Sequence, residues 1–128
     1  MLDHIGFAVA DFRRSRAFYE AALKPIGLGV IMAVSAEESG GYEGAGFGAE
    51  GKPFFWIGIG DKPKGGLHVA FSATSRAEVD AFYLAAMGAG GRDNGGPGLR
   101  PQYHPNYYGA VVFDPDGNNI EAVCHKPE

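Results

Sequence analysis

The chain has 128 residues, 45% of them hydrophobic and 20% charged, with a formal net charge of −4, which is the make-up of one globular domain. An acidic balance offers no basic excess to neutralise phosphates, so neither nucleic acid nor an anionic membrane is an expected partner, and no apolar run approaches the ~20 residues that span a bilayer. The start, "MLDHIGFAVA", has no cationic lead or long apolar stretch, and the single cysteine, Cys124, cannot form an internal disulfide; a cytoplasmic setting is the expectation.

The first predicted element is a strand, "DHIGFAVA". Ile5, Phe7 and Val9 share one face, and His4, Gly6 and Ala8 share the other. A helix follows, with Asp11 as N-cap and Ser15, Phe18, Tyr19, Ala22 and Leu23 on one stripe; Pro25 and Gly27 stop it. Strands are expected at 28–35, 42–49 and 53–59. A fifth strand, "LHVAFSA" (67–73), sets Leu67, Val69 and Phe71 opposite His68, Ala70 and Ser72. Ser75 to Glu78 reads as a capping box, opening a helix whose stripe is Val79, Phe82, Tyr83, Ala86 and Met87.

Glycine is abundant, at 21 residues, about twice the usual ~7%. Many crowd into "GAGGRDNGGPG" (88–98), either a surface connector or a flap beside a cleft. A weak strand near 90–94 precedes two clear ones, 107–113 and 118–124. Asp114-Pro115-Asp116-Gly117 is the turn between them.

The order repeats. "HIGFAV" at His4 matches "HVAFSA" at His68, and at the same offset "RAFY" (16–19) matches "DAFY" (80–83). Each half reads β-α-β-β-β, with module one at about 1–62 and module two at about 63–128. The expected fold is α+β: two βαβββ modules forming a curved mixed sheet around a cleft, with helices on the outer face.

Equivalent halves put His4 and His68 in equivalent places. Glu121 stands on the last strand, where carboxylates are uncommon, on the face shared with Asn119 and Val123. Two imidazoles and a carboxylate suit a divalent metal (Zn, Fe, Mn or Ni) with open positions for water and substrate. Structural histidines remain the alternative at this point. Aligning Tyr42 with Tyr107 matches Trp56 to Glu121, so module one carries an indole where module two carries a carboxylate. Trp56 is expected as a cleft wall or as core. Cys124 reads as a packed small hydrophobe.

These features resemble the vicinal oxygen chelate superfamily, the group of glyoxalases, bleomycin-resistance proteins and extradiol dioxygenases. The resemblance rests on the two modules, the histidine near each start, and "DPDGNNIEAV" (114–123). It implies metal ligands at His4, His68 and Glu121 and a small substrate with vicinal oxygens. Glyoxalase I uses a fourth protein ligand in the slot of Trp56, and fosfomycin-resistance enzymes carry Thr where Gly6 stands. Extradiol dioxygenases add second-shell His and Tyr, for which "QYHPNYYG" offers Tyr103, His104, Tyr107 and Tyr108. On this reading Glu121, His104 and Tyr108 are the catalytic candidates, and Trp56, Tyr103 and Tyr107 line the substrate pocket. The expected activity is a metal-dependent lyase, isomerase or dioxygenase; the alternative is a metal-free binding protein of the bleomycin-resistance type. Many such proteins pair, so a homodimer is expected, with the metal site inside one chain or shared between two.

Overall fold

The computed structural model describes residues 1–128. Module one runs β1 (Ile5–Ala8), α1 (Phe12–Leu23), β2 (Gly29–Val34), a one-turn α2 (Ala36–Ser39), β3 (Gly44–Ala49) and β4 (Lys52–Gly58). Module two runs β5 (His68–Ser72), α3 (Arg76–Gly88), the two-residue strands β6 (Arg92–Asp93) and β7 (Gly98–Leu99), β8 (Tyr108–Phe113) and β9 (Asn119–Cys124).

Local chemistry sets the helix ends. The Asp11 carboxylate accepts from the Arg14 N–H, and the Ser75 hydroxyl from the Glu78 N–H. Glu78 completes its box one residue early, accepting from the backbone N–H and hydroxyl of Thr74. Those bonds hold the Glu78 carboxyl below its ordinary pKa. At the end of α1, Pro25 enters a 3-10 turn that Gly27 closes at φ 84°, a left-handed conformation suited to glycine.

Each module folds its own mixed sheet, a difference from the single curved sheet expected. The strand orders are β1-β4-β3-β2 and β5-β9-β8-β6, with β7 also on β8. In both, the first strand pairs parallel with the last, which requires the helical crossover. β1 and β5 are therefore edges, and the modules meet through side chains.

The predicted stripes make that contact. Phe18, Tyr19, Ala22 and Leu23 of α1 are buried with Val79, Phe82 and Ala86 of α3, and α1 packs on α3. Under the helices lie Phe47, Phe55, Ile57, Val112, Ile120, Ala122 and Cys124. Phe55 and Phe71 meet edge to face across the module boundary, ring centroids 5.1 Å apart. Each fully buried large side chain contributes roughly 1.5–3 kcal/mol of transfer free energy.

One polar clamp crosses the same boundary. Asp114, only 2% exposed, accepts from the Tyr19 hydroxyl at 2.5 Å, from the N–H groups of Asp116 and Asn118, and from the Asn118 side-chain amide. The "DPDG" turn thus does more than reverse the chain. It ties the hairpin of module two to the helix of module one. Burial, reinforced by the Asp114 charge, holds the Tyr19 phenol well above its ordinary pKa.

Candidate metal and substrate cleft

The faces of the sheets turned away from the helices carry His68 and Glu121 in module two and Trp56 in module one. In module two, Ala70 of β5 lies opposite Glu121 of β9, and Val111 of β8 flanks Glu121 on the other side. Glu121 is 4% exposed, yet its two oxygens are filled from the cleft. Oε1 lies 2.9 Å from His68 Nε2, and Oε2 accepts from the Tyr107 hydroxyl at 2.5 Å. Gly109 makes this possible, since a Cβ there would come within 2.9 Å of Oε2. Partial burial first, and then the bond to Glu121, push the Tyr107 phenol up to about 12. Tyr107 is therefore a hydrogen-bond donor at neutral pH, and it orients the carboxylate.

This arrangement lies in a cleft of about 730 Å³ whose walls include His68, Asn94, Arg100, Tyr103, Tyr107 and Glu121. That volume suits a small organic ligand. The glycine-rich segment forms one side. Arg92–Asp93 and Gly98–Leu99 pair with β8, and Gly95 accepts from the Val111 N–H. Of the two readings of 88–98, the cleft-side one describes the fold.

Module one presents the second half. Trp56 lies opposite Gly6 of β1 and Gly46 of β3. Matching Gly6–Trp56 to Ala70–Glu121 places the indole in the slot of the carboxylate. The indole is accommodated by absent side chains: a Cβ on Gly46 would lie 2.7 Å from it. Trp56, Tyr42 and His4 border a second cleft, of about 560 Å³. His4 Nδ1 lies 2.8 Å from Asp3 Oδ1, and the other Asp3 oxygen accepts from Lys52 Nζ at 2.7 Å. Those two bonds hold the Asp3 carboxyl below its ordinary pKa. A ring that donates from Nδ1 keeps its Nε2 lone pair free.

Within one chain the three expected ligands do not converge. No group of three or more His, Cys, Asp or Glu side chains lies close enough to hold a metal. His68 and Glu121 are together; His4 lies just before β1 of the other sheet. Two other expectations are also placed elsewhere. Tyr108 is on the helix side of β8, not in the cleft: its hydroxyl donates to Asp80 at 2.6 Å and the Arg76 guanidinium covers its ring. Strand alternation gives the cleft to Tyr107 instead. His104 stacks on His125, with Nε2 hydrogen-bonded to His125 Nδ1, and edges the Tyr107 ring. It supports the rim and is not among the residues lining the cleft. Tyr103 is on the lining, its ring centroid 4.9 Å from that of Tyr107. Sequence reasoning did not single out Arg100 or Asp3; neither sits in a motif, and only the fold brings them to the clefts.

The model of the Glyoxalase/Bleomycin resistance protein/Dioxygenase superfamily matches residues 1–122. The chain belongs to that superfamily. A glyoxalase/bleomycin resistance protein from Albidiferax ferrireducens T118 is similar over 97% of both chains, at 28% identity and TM-score 0.76. A family enzyme from Burkholderia phytofirmans PsJN shares the fold over 97% of this chain and 98% of its own, at 16% identity and TM-score 0.69. A glyoxalase I mutant from Zea mays aligns with 95% of this chain but only 46% of its own, at 24% identity and TM-score 0.67. Among proteins of curated function, none matches the sequence. No helix is long and apolar enough to cross a membrane.

Proposed function

We propose that this superfamily member is a divalent-metal-dependent enzyme whose site forms between two copies of the chain, His68 and Glu121 coming from one copy and His4 from the other. The carrying observation is the state of the donor atoms. His68 Nε2 and a Glu121 oxygen converge at 2.9 Å, and Tyr107 fixes the other Glu121 oxygen. His4 Nδ1 lies 2.8 Å from Asp3 Oδ1, a contact that in the Nδ1–H tautomer leaves Nε2 for a ligand. Ligands oriented by outer hydrogen bonds are the usual anatomy of a metal centre, and here the set is incomplete in one chain.

Pairing is supported by the surface. Leu2 and Ile5 stay 80% and 38% exposed beside His4, on an apolar crease with Phe54, Val69 and Phe71 between the modules. A homodimer joined about a twofold axis would bring each module-one half against a module-two half twice. The maize chain, of which this one spans about half, has length for two such units.

A metal held there would act as a Lewis acid toward vicinal oxygens of a small substrate. The chain's own residues would set the rest: Tyr107 keeps Glu121 aimed, and Trp56 contributes an apolar wall instead of a fourth ligand.

Chain mixing tests this reading. His4→Ala and Glu121→Ala homodimers are each expected to lose metal. Co-refolded in equal amounts, they regain about a quarter of the wild-type metal content, because one of two sites is intact in each mixed dimer. Mixed protein that stays as metal-poor as its parents sinks the shared site. The metal-free alternative draws on Trp56 and Tyr42, whose rings occupy space left by Gly44, Gly46 and Gly58. It requires wild-type protein without measurable metal affinity.

A further inference from the structure

We infer that Arg100 is an anion-binding residue of the cleft, selecting a substrate that carries a carboxylate. The identity of the anion as substrate rests on the enzyme reading above; the subsite itself does not depend on the metal.

Arg100 is half-buried and is the only Lys or Arg lining the cleft that holds His68 and Glu121. Its guanidinium is held from behind by the glycine-rich loop. One terminal nitrogen donates to the Gly98 carbonyl at 2.9 Å, the other to the Gly96 carbonyl at 2.8 Å. The loop fits closely: a Cβ on Gly95 or Gly98 would come within 3.3 or 3.2 Å of the terminal nitrogens. Glycines in this stretch thus let the backbone wrap a charged group.

The charge itself has no partner. Arg100 is in none of the chain's ion pairs. Two of the five N–H groups of a guanidinium are used on neutral carbonyls, which leaves the others for a ligand. A half-buried cation fixed by its own backbone and left uncompensated costs free energy unless an anion completes it.

Carboxylate is favoured over phosphate by the charge count. One guanidinium balances one negative charge, and the same cleft already contains the Glu121 carboxylate, which would repel a dianion. Tyr103 and Tyr107 line the same cleft, and the Asn119 amide, whose oxygen accepts from Asn94, adds a donor. The substrate class is therefore a small organic acid. Its carboxylate sits at Arg100 and its vicinal oxygens reach toward His68 and Glu121.

The test uses the full-length protein with chelator present, so that metal plays no part. Binding of benzoate, benzamide and phenyl phosphate is followed by protein-observed NMR at the amides of Gly95, Gly98 and Val111. Benzoate should saturate at least about tenfold more tightly than benzamide. Arg100→Gln should bring benzoate down to the benzamide level, while Arg100→Lys retains part of the preference; a dispersed spectrum establishes that each variant is folded. Equal binding of benzoate and benzamide, no benzoate binding, or unchanged affinity in Arg100→Gln overturns the inference. Tighter binding of phenyl phosphate than of benzoate overturns the carboxylate assignment. Metal content is measured separately on the same variants, so loss of the anion subsite and loss of the metal reading are distinguished.

Discussion

Trp56 and Glu121 occupy the same position in the two modules, opposite Gly6 in one sheet and Ala70 in the other. The two modules keep the same backbone register, with an indole in one and a carboxylate in the other. Module one therefore contributes one candidate donor, His4, and module two contributes two.

Restoring a carboxylate tests what the exchange did. In Trp56→Glu, a second carboxylate would join the proposed shared site as its fourth ligand. Competition against a chromogenic chelator should show at least about tenfold tighter metal retention. Unchanged or weaker retention means the Trp56 slot does not face the metal.

The indole is seated on Gly46. Gly46→Ala forces the ring or Pro53 to move, because the added Cβ lies 2.7 Å from the indole and 2.9 Å from Pro53 Cβ. Overpacking of this kind costs about 1–3 kcal/mol. Trp56 is the only tryptophan, so its emission reports the displacement directly, and a red shift with a lowered urea midpoint is expected. Identical emission and midpoint would show that the ring rests elsewhere.

Burial and Glu121 act together on Tyr107. Burial and the Glu121 bond together raise that phenol to about 12. In Glu121→Gln the charge is gone, and one tyrosine should titrate closer to the ordinary value of about 10 in a difference titration at alkaline pH. The reciprocal change, Tyr107→Phe, frees one Glu121 oxygen and should weaken metal binding by about tenfold without unfolding the chain. Full metal affinity in Tyr107→Phe would remove it from the support of the site.

Asp114 holds the modules together. Asp114→Ala leaves the Tyr19 hydroxyl and three turn donors without their acceptor, at a cost of about 3 kcal/mol or more. Tyr19→Phe removes a single bond and should cost about 1–2 kcal/mol. Urea denaturation of both single variants and the double variant gives the coupling; strict additivity would rule out a joint clamp.

Alkaline pH should loosen the fold through the same groups. The folded state raises the Tyr19 and Tyr107 pKa values, so it binds these protons more tightly than the unfolded chain. Their contribution is complete below about pH 10 and is lost as pH rises toward about 12 and beyond. Urea midpoints across that range should fall less steeply in Tyr19→Phe than in wild type. Parallel curves would assign the alkaline loss to other groups.

Much of this protein is settled along the chain. The repeated strand–helix opening, the two apolar helix stripes, the Asp11 and Ser75 caps and the Asp114–Gly117 turn are local patterns. Periodicity and capping depend on neighbours a few residues away, so the sequence alone determines the two βαβββ modules. It also determines that His4 and His68 are equivalent and that Trp56 matches Glu121. Register and partnership are decided by contacts far apart in the chain, and only the tertiary structure supplies them. Parity on β8 gives the cleft to Tyr107 and sends Tyr108 to Asp80 under the helices. The absence of backbone pairing between the sheets puts His4 away from His68 and Glu121. The glycine-rich stretch could be a connector or a flap until its carbonyls are found around the Arg100 guanidinium, because a carbonyl's partner is fixed by the fold and not by the residue that bears it.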